Sequence, residues 1–126
     1  MPRILLVDDE DQIRSTYAAL LRARGHEVTT AADGREAVEL FGKELFDLVI
    51  TDVVMPRMGA AEAIAAMRAL RPDIKIIAAY GGGRVGEPGN VATVRHLGAD
   101  RLLSKPFTLG ELEAAVGETL GRANDP

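Results

Sequence analysis

The stretch Phe46-Asp47-Leu48-Val49-Ile50-Thr51-Asp52-Val53-Val54-Met55-Pro56 decides how the chain folds. From Leu48 to Thr51 the residues are apolar or β-branched and do not alternate with polar ones. An unbroken run of this length suits a strand buried on both faces of a parallel sheet. Pro56 lacks the N–H that further ladder pairing would need. Asp52 is therefore expected at the carboxyl end of a central strand, where open α/β sheets place their ligands. Taken alone, Asp52 reads equally well as a residue that caps the next helix or closes a turn.

On the amino-terminal side, Arg3 to Val7 forms a first buried strand that ends in Asp8-Asp9-Glu10-Asp11. Ile13, Tyr17, Leu20 and Leu21 then recur at helical spacing, and Gly25 closes that helix. Glu27 to Ala31 is a short, more polar strand, expected at an edge. Ala32-Asp33-Gly34 turns into a second helix showing Val38, Phe41 and Leu45 to the core. On the other side of Asp52, a third helix carries Ala63, Ile64, Met67 and Leu70 inward, and Pro72 marks its end. Ile74 to Ala79 is a fourth strand. Residues 81–89 hold five glycines, a flexible connector that lacks the Gly-Lys-Ser/Thr ending of a phosphate-binding loop. Asn90 caps a short fourth helix reaching Leu97, and Arg101 to Ser104 is a fifth strand leading to Lys105-Pro106-Phe107. Thr108-Leu109-Gly110-Glu111 is a capping box for the last helix, with Leu112, Val116 and Leu120 facing inward. Residues 1–121 form one domain in this reading, and 122–126 a frayed tail.

Five strands alternating with five helices predict an α/β fold: one doubly wound parallel sheet with helices on both faces. The strand order expected for such a single domain is 2-1-3-4-5, the flavodoxin-like arrangement. With 126 residues, 47% of them hydrophobic, the chain can bury a real core. Its formal net charge of -4 argues against a nucleic-acid-binding module. It contains no cysteine, which excludes disulfides and thiolate metal sites. No apolar run approaches membrane-spanning length and no signal segment opens the chain, so a soluble cytoplasmic protein is expected.

In the 2-1-3-4-5 order, strands 1 and 3 are neighbours. Asp8 and Asp9 then meet Asp52 at one edge, and Lys105 follows strand 5 at the same edge. Carboxylates crowded together repel one another unless a cation joins them. Magnesium fits, since it binds through one or two carboxylates, keeps waters and shares a phosphate oxygen. Asp52 is then a candidate nucleophile for a phosphoryl group, with Lys105 as a point charge against the phosphoryl oxygens. Separately, the acidic run suits an ordinary first helical turn, and Lys105 a solvated loop lysine. Their joint placement at the strand ends would be a large coincidence.

Three groups of residues together resemble the receiver domain of bacterial two-component response regulators, in its stand-alone, chemotaxis-type form. They are Ile4-Leu5-Leu6-Val7-Asp8-Asp9, then Asp47 to Asp52 with Met55-Pro56, and Gly98-Ala99-Asp100 leading to Lys105-Pro106-Phe107. The resemblance runs from Arg3 to about Leu120. It implies that Asp52 is the phosphoacceptor and that Lys105 contacts the phosphoryl group. It further implies that Asp8 and Asp9 hold Mg2+ together with Asp52 and the backbone carbonyl of Val54. A cis bond between Lys105 and Pro106 is also implied. The chain departs from the family at three places. Tyr80 stands where a Ser or Thr usually ends the fourth strand, Leu102 stands at the usual aromatic position, and Gly59-Ala60 replaces an acidic-glycine pair. Tyr80 reads equally as pocket-rim packing or as a functional group.

The resemblance implies a phosphorylation-dependent switch. The phosphoryl group would come from a histidine kinase or phosphotransfer protein, and a downstream protein would read a surface around the fourth and fifth helices. The chain would be a monomer or weak dimer, with no nucleic-acid or membrane partner. It would not be an enzyme beyond its own Mg2+-dependent phosphorylation and dephosphorylation. A pseudo-receiver that docks partners without phosphorylation is the alternative, supported only by Tyr80. An aspartate-nucleophile phosphatase is disfavoured because Val54 stands where such enzymes carry a second Asp.

Overall fold

Arg3–Val7 (β1), Glu27–Ala31 (β2), Leu48–Asp52 (β3), Lys75–Gly81 (β4) and Arg101–Lys105 (β5) pair in parallel, in the order β2-β1-β3-β4-β5. This computed structural model describes residues 2–52, 60–81, 99–105 and 107–121. Its helices among those residues are Asp11–Ala23 (α1), Gly34–Lys43 (α2), Ala60–Leu70 (α3) and Leu109–Thr119 (α4). The predicted helix from Asn90 to Leu97, the glycine-rich connector beyond Gly81, Gly59, Pro106 with its peptide bond, and the 122–126 tail lie outside the described residues.

The apolar run is central because both of its faces are covered. Leu48 and Val49 are fully buried and Ile50 is 2% exposed. Successive residues of a strand point to opposite sides of the sheet. Val49 joins Leu5, Val7 and Ile76 in a cluster closed by Phe41 of α2 and by Ala63, Ile64 and Met67 of α3. Leu48 and Ile50 join Ile4, Leu6 and Ile77 in a second cluster, closed by Ala18 and Leu21 of α1 and by Leu112, Ala115 and Val116 of α4. The polar second strand is an edge, as its composition predicts.

Local chemistry sets the helix ends. The Asp33 carboxylate accepts from the Glu36 N–H at 2.9 Å and opens α2. At α4 the predicted capping box is formed. The Thr108 hydroxyl accepts from the Glu111 N–H at 3.1 Å. In return, the Glu111 carboxylate accepts from the Thr108 N–H at 2.8 Å. Gly25, at φ 93°, takes the left-handed conformation just past α1 that closes a helix without a Cβ clash.

Two expected core residues are on the surface. Leu45 is 69% exposed, because α2 ends at Lys43 and Glu44 is extended, so Leu45 has left the helical face. Leu70 is 55% exposed as the last residue of α3; Ile74, past the turn, takes the next buried place after Met67. The fourth strand also differs in extent, starting at Lys75 and running on to Gly81. Ile74 is held back in a turn by its N–H bond to the Arg71 carbonyl, while Tyr80 and Gly81 pair with Ser104 and Lys105.

Leu48 is fully buried between the two helix layers. Replacing it by Ala is expected to lower unfolding free energy by about 3 kcal/mol. The Leu45 side chain is already in water. Leu45→Ala is therefore expected to shift stability by roughly 0.5 kcal/mol at most. Urea denaturation of both variants checks the pair.

Candidate functional site at the carboxyl edge of the sheet

Parallel pairing brings every strand's carboxyl end to one edge. Val7 is level with Thr51, Asp52 with Ala79, Tyr80 with Ser104 and Gly81 with Lys105. Asp8, one residue beyond β1, therefore adjoins Asp52 at the end of β3. One oxygen from each of Asp8, Asp9 and Asp52 lies within 4.8 Å of the other two.

Asp8 is 4% exposed and fixed at three points. Its N–H donates to the Ala31 carbonyl at 3.1 Å, which carries the β1–β2 ladder one step past the strand. Its carboxylate accepts from the Glu10 N–H at 2.9 Å, a bond that closes the turn on itself. Its carbonyl accepts from an Arg14 guanidinium nitrogen at 2.8 Å. Asp9 and Asp52 are half-buried and face more water. Thr51, itself buried, donates its hydroxyl to the Asp52 carbonyl at 3.1 Å.

The donor set has a definite preference. Three carboxylates with no imidazole or thiolate among them suit a hard divalent cation, and their charges repel until one is shared between them. Mg2+ takes few carboxylates and keeps positions for water or a phosphoryl oxygen, so the residues present fit it.

Of the other residues singled out in the sequence, Lys105 and Tyr80 have their backbones at this same edge, in the last pairs of the β4–β5 ladder. Their side chains, and Val54 altogether, lie outside the described residues. Leu102 pairs with Ala78 and packs half-buried against the cluster under α2 and α3. Arg14 is a contact the sequence reading passed over. Its position three residues after Asp11 signals the ion pair between them, whereas the bond to the Asp8 carbonyl has no signal in the sequence.

Aromatic packing ties the two sides of this edge. Tyr17 of α1 stacks on Phe107, two residues past Lys105, with ring centroids 4.6 Å apart and planes 22° apart. Such ring pairs add to the area they bury. The helix that leaves the acidic turn is thus in contact with the segment that leaves β5.

Comparison with known proteins agrees with this geometry. Residues 4–117 match the family model described as the response regulator receiver domain. A probable transcriptional regulator, ycf27, of Cyanophora paradoxa is 39% identical over 98% of this chain, which covers 50% of that protein. The chain spans about half the length of several of the curated relatives it matches. Among solved structures, the chemotaxis protein CheY4 of Vibrio cholerae is 33% identical, with a TM-score of 0.86, 94% of this chain and 98% of that one being covered. The receiver domain of sensor histidine kinase PA1611 from Pseudomonas aeruginosa PAO1, solved with a magnesium ion coordinated in its active-site cleft, is 29% identical. Its TM-score is 0.85, and the match covers 95% of this chain and 98% of that one. Relatives named as transcriptional regulators lend no support to the expected lack of a nucleic-acid partner. A parallel sheet in the order 2-1-3-4-5, carboxylates gathered at its carboxyl edge and a family match over nearly the whole chain lead to one conclusion: the chain belongs to the response regulator receiver domain family.

Proposed function

We propose that this domain is a phosphorylation switch in which Asp52 accepts a phosphoryl group from the phosphohistidine of a histidine kinase or phosphotransfer protein. The observation that carries this reading is the convergence of Asp8, Asp9 and Asp52 oxygens within 4.8 Å at the end of the central strands. An Asp52 carboxylate oxygen attacks phosphorus in line with the imidazole nitrogen. The new O–P bond forms an acyl phosphate as the P–N bond breaks, and the leaving nitrogen keeps the electron pair and takes up a proton. Asp8, Asp9, Asp52 and the Val54 carbonyl would hold Mg2+, which supplies positive charge for the phosphoryl oxygens when bound. Lys105 adds a second positive charge from the end of β5.

Phosphorylation adds negative charge at the sheet edge and biases a two-state surface toward one partner. The reading extends to a stand-alone form over residues 1–121, monomeric or weakly dimeric, acting in the cytoplasm on a downstream protein; what supports it is the likeness to the chemotaxis protein CheY4 over 98% of that chain. Among the described residues no helix is long and apolar enough to cross a membrane. In this reading the domain turns over no substrate other than its own phosphoryl group.

Incubation with Mg2+ and a small phosphodonor, followed by intact mass, tests the reading. One added phosphoryl group is expected on the wild type and none on Asp52→Asn. No gain on the wild type would leave a phosphorylation-independent docking module, the reading Tyr80 favours, and steady donor turnover would indicate a phosphatase.

Asp9→Asn removes a carboxylate from the crowded edge. It is expected to weaken Mg2+ binding by about tenfold or more while leaving metal-free thermal stability unchanged or raised, because one repulsion is gone. Equal Mg2+ affinity in the variant would remove Asp9 from the metal site.

Tyr80 is the penultimate residue of β4, at the family's short-hydroxyl position. Its phenol oxygen lies several bonds further from the backbone than a threonine hydroxyl, so it cannot follow the same inward path. Coupling between Asp52 modification and partner binding is therefore expected below the ~1–3 kcal/mol usual for allosteric sites, and Tyr80→Thr is expected to raise it. Backbone amide shifts with and without beryllofluoride, in both proteins, read the difference. A full-sized shift in the native protein that Tyr80→Thr does not enlarge would overturn this.

A further inference from the structure

The turn that carries Asp8 and Asp9 is short, and its exit is not secured in the usual way. Between β1 and α1 lie only Asp8, Asp9 and Glu10. Glu10 is the N-cap of α1, and its side chain makes no cap bond. The first helical turn is instead fastened from within by Arg14. This guanidinium is 18% exposed. One terminal nitrogen donates to the Asp8 carbonyl at 2.8 Å, the other to the Asp11 carboxylate at 2.6 Å. A planar fork can serve two acceptors in different directions at once, and an ammonium on a flexible stem cannot hold that geometry.

We propose that Arg14 is a positioning residue for the divalent-cation site: it locks the β1–α1 turn so that the Asp8 and Asp9 carboxylates face Asp52. Asp8 is the pivot. With its amide on Ala31, its carboxylate on Glu10 and its carbonyl on Arg14, it is held at the backbone on both sides of its Cα and at its side chain. Releasing the carbonyl frees the peptide that joins Asp8 to Asp9. Groups that orient metal ligands from behind commonly influence metal affinity almost as strongly as the ligands do. The inference rests on the reading of Asp8, Asp9 and Asp52 as an Mg2+ site.

Two effects of Arg14 on Mg2+ have opposite signs. As a cation near the cluster it repels the metal, so deleting its charge would tighten binding. As a clamp it preorganises the ligands, so deleting it would weaken binding. The Asp11 carboxylate, 2.6 Å from the guanidinium, carries the opposite charge and offsets part of the repulsion, and the clamp is expected to win.

The test is Mg2+ titration, without phosphodonor, of the wild type, Arg14→Met and Arg14→Lys. Backbone amide shifts are the readout, because the chain has no tryptophan to report optically. Arg14→Met is expected to bind Mg2+ about tenfold more weakly, with Arg14→Lys between it and the wild type. Amide changes in the metal-free Met variant are expected to centre on residues 8–11. A wild type that binds Mg2+, with Arg14→Met binding it equally or more tightly, would overturn the inference alone. If Arg14→Met does not fold, Arg14→Lys decides. It keeps the charge and loses the fork, so wild-type affinity in that variant would overturn the positioning role. A wild type with no response to Mg2+ would overturn the metal reading and the inference together.

Discussion

Parallel pairing around β3 is the constraint on which the rest depends. A parallel strand cannot return through a tight turn, so each connection must cross a face of the sheet, and α1, α2 and α3 are placed by that requirement. The same geometry sends every strand the same way and gathers every carboxyl end at one edge. Asp8 and Asp52, far apart in sequence, become neighbours because Val7 is level with Thr51 in the ladder. A shift of one residue in that register would turn the β3 core residues to the wrong faces. The burial of Leu48, Val49 and Ile50 therefore also holds the functional edge in line.

Gathering carboxylates opposes folding, and the structure confines that strain to the strand ends. β1 is apolar from Ile4 to Val7 and β3 from Leu48 to Ile50, and the acids stand at or just past the last ladder positions. Asp8 is buried but has its polar groups occupied, while Asp9 and Asp52 keep access to water. Asp8 is thus the rigid part of the site, and Asp9 and Asp52 are its accessible part. In the proposed reading, the phosphoacceptor needs that accessibility and the ligand of a small hard cation needs the rigidity.

Much of this was legible in the sequence because long apolar runs and cap residues report strong local preferences. The unbroken Leu48–Thr51 run marked a central strand, and Thr108 with Glu111 marked the start of α4. Sequence periodicity was less informative at helix ends. It continued the core face through Leu45 and Leu70, although the backbone leaves or ends the helix there and both side chains meet water. The length of β4 was also hidden, because Tyr80 and Gly81 owe their strand geometry to Ser104 and Lys105 across the ladder. Arg14 escaped notice for the same kind of reason. An arginine on a polar helix face looks like a solvated charge until the carbonyl it reaches, on a different element, is known.

The sheet also divides the interior. Leu5 and Val49 pack toward α2 and α3, Leu6 and Ile50 toward α1 and α4, and the backbone layer between them keeps the two sets of side chains apart. A volume lost on one side cannot be refilled from the other, so two substitutions on the same side are coupled and two on opposite sides are close to additive. Such a domain can therefore vary one layer while holding the other fixed. Among the described residues, the α1–α4 layer carries the turn bearing the acidic pair and the segment following Lys105, and the α2–α3 layer packs on the opposite face of the sheet. Under selection for a preserved chemical edge, change is tolerated more readily in the second layer, and the two halves of one small protein can drift at different rates.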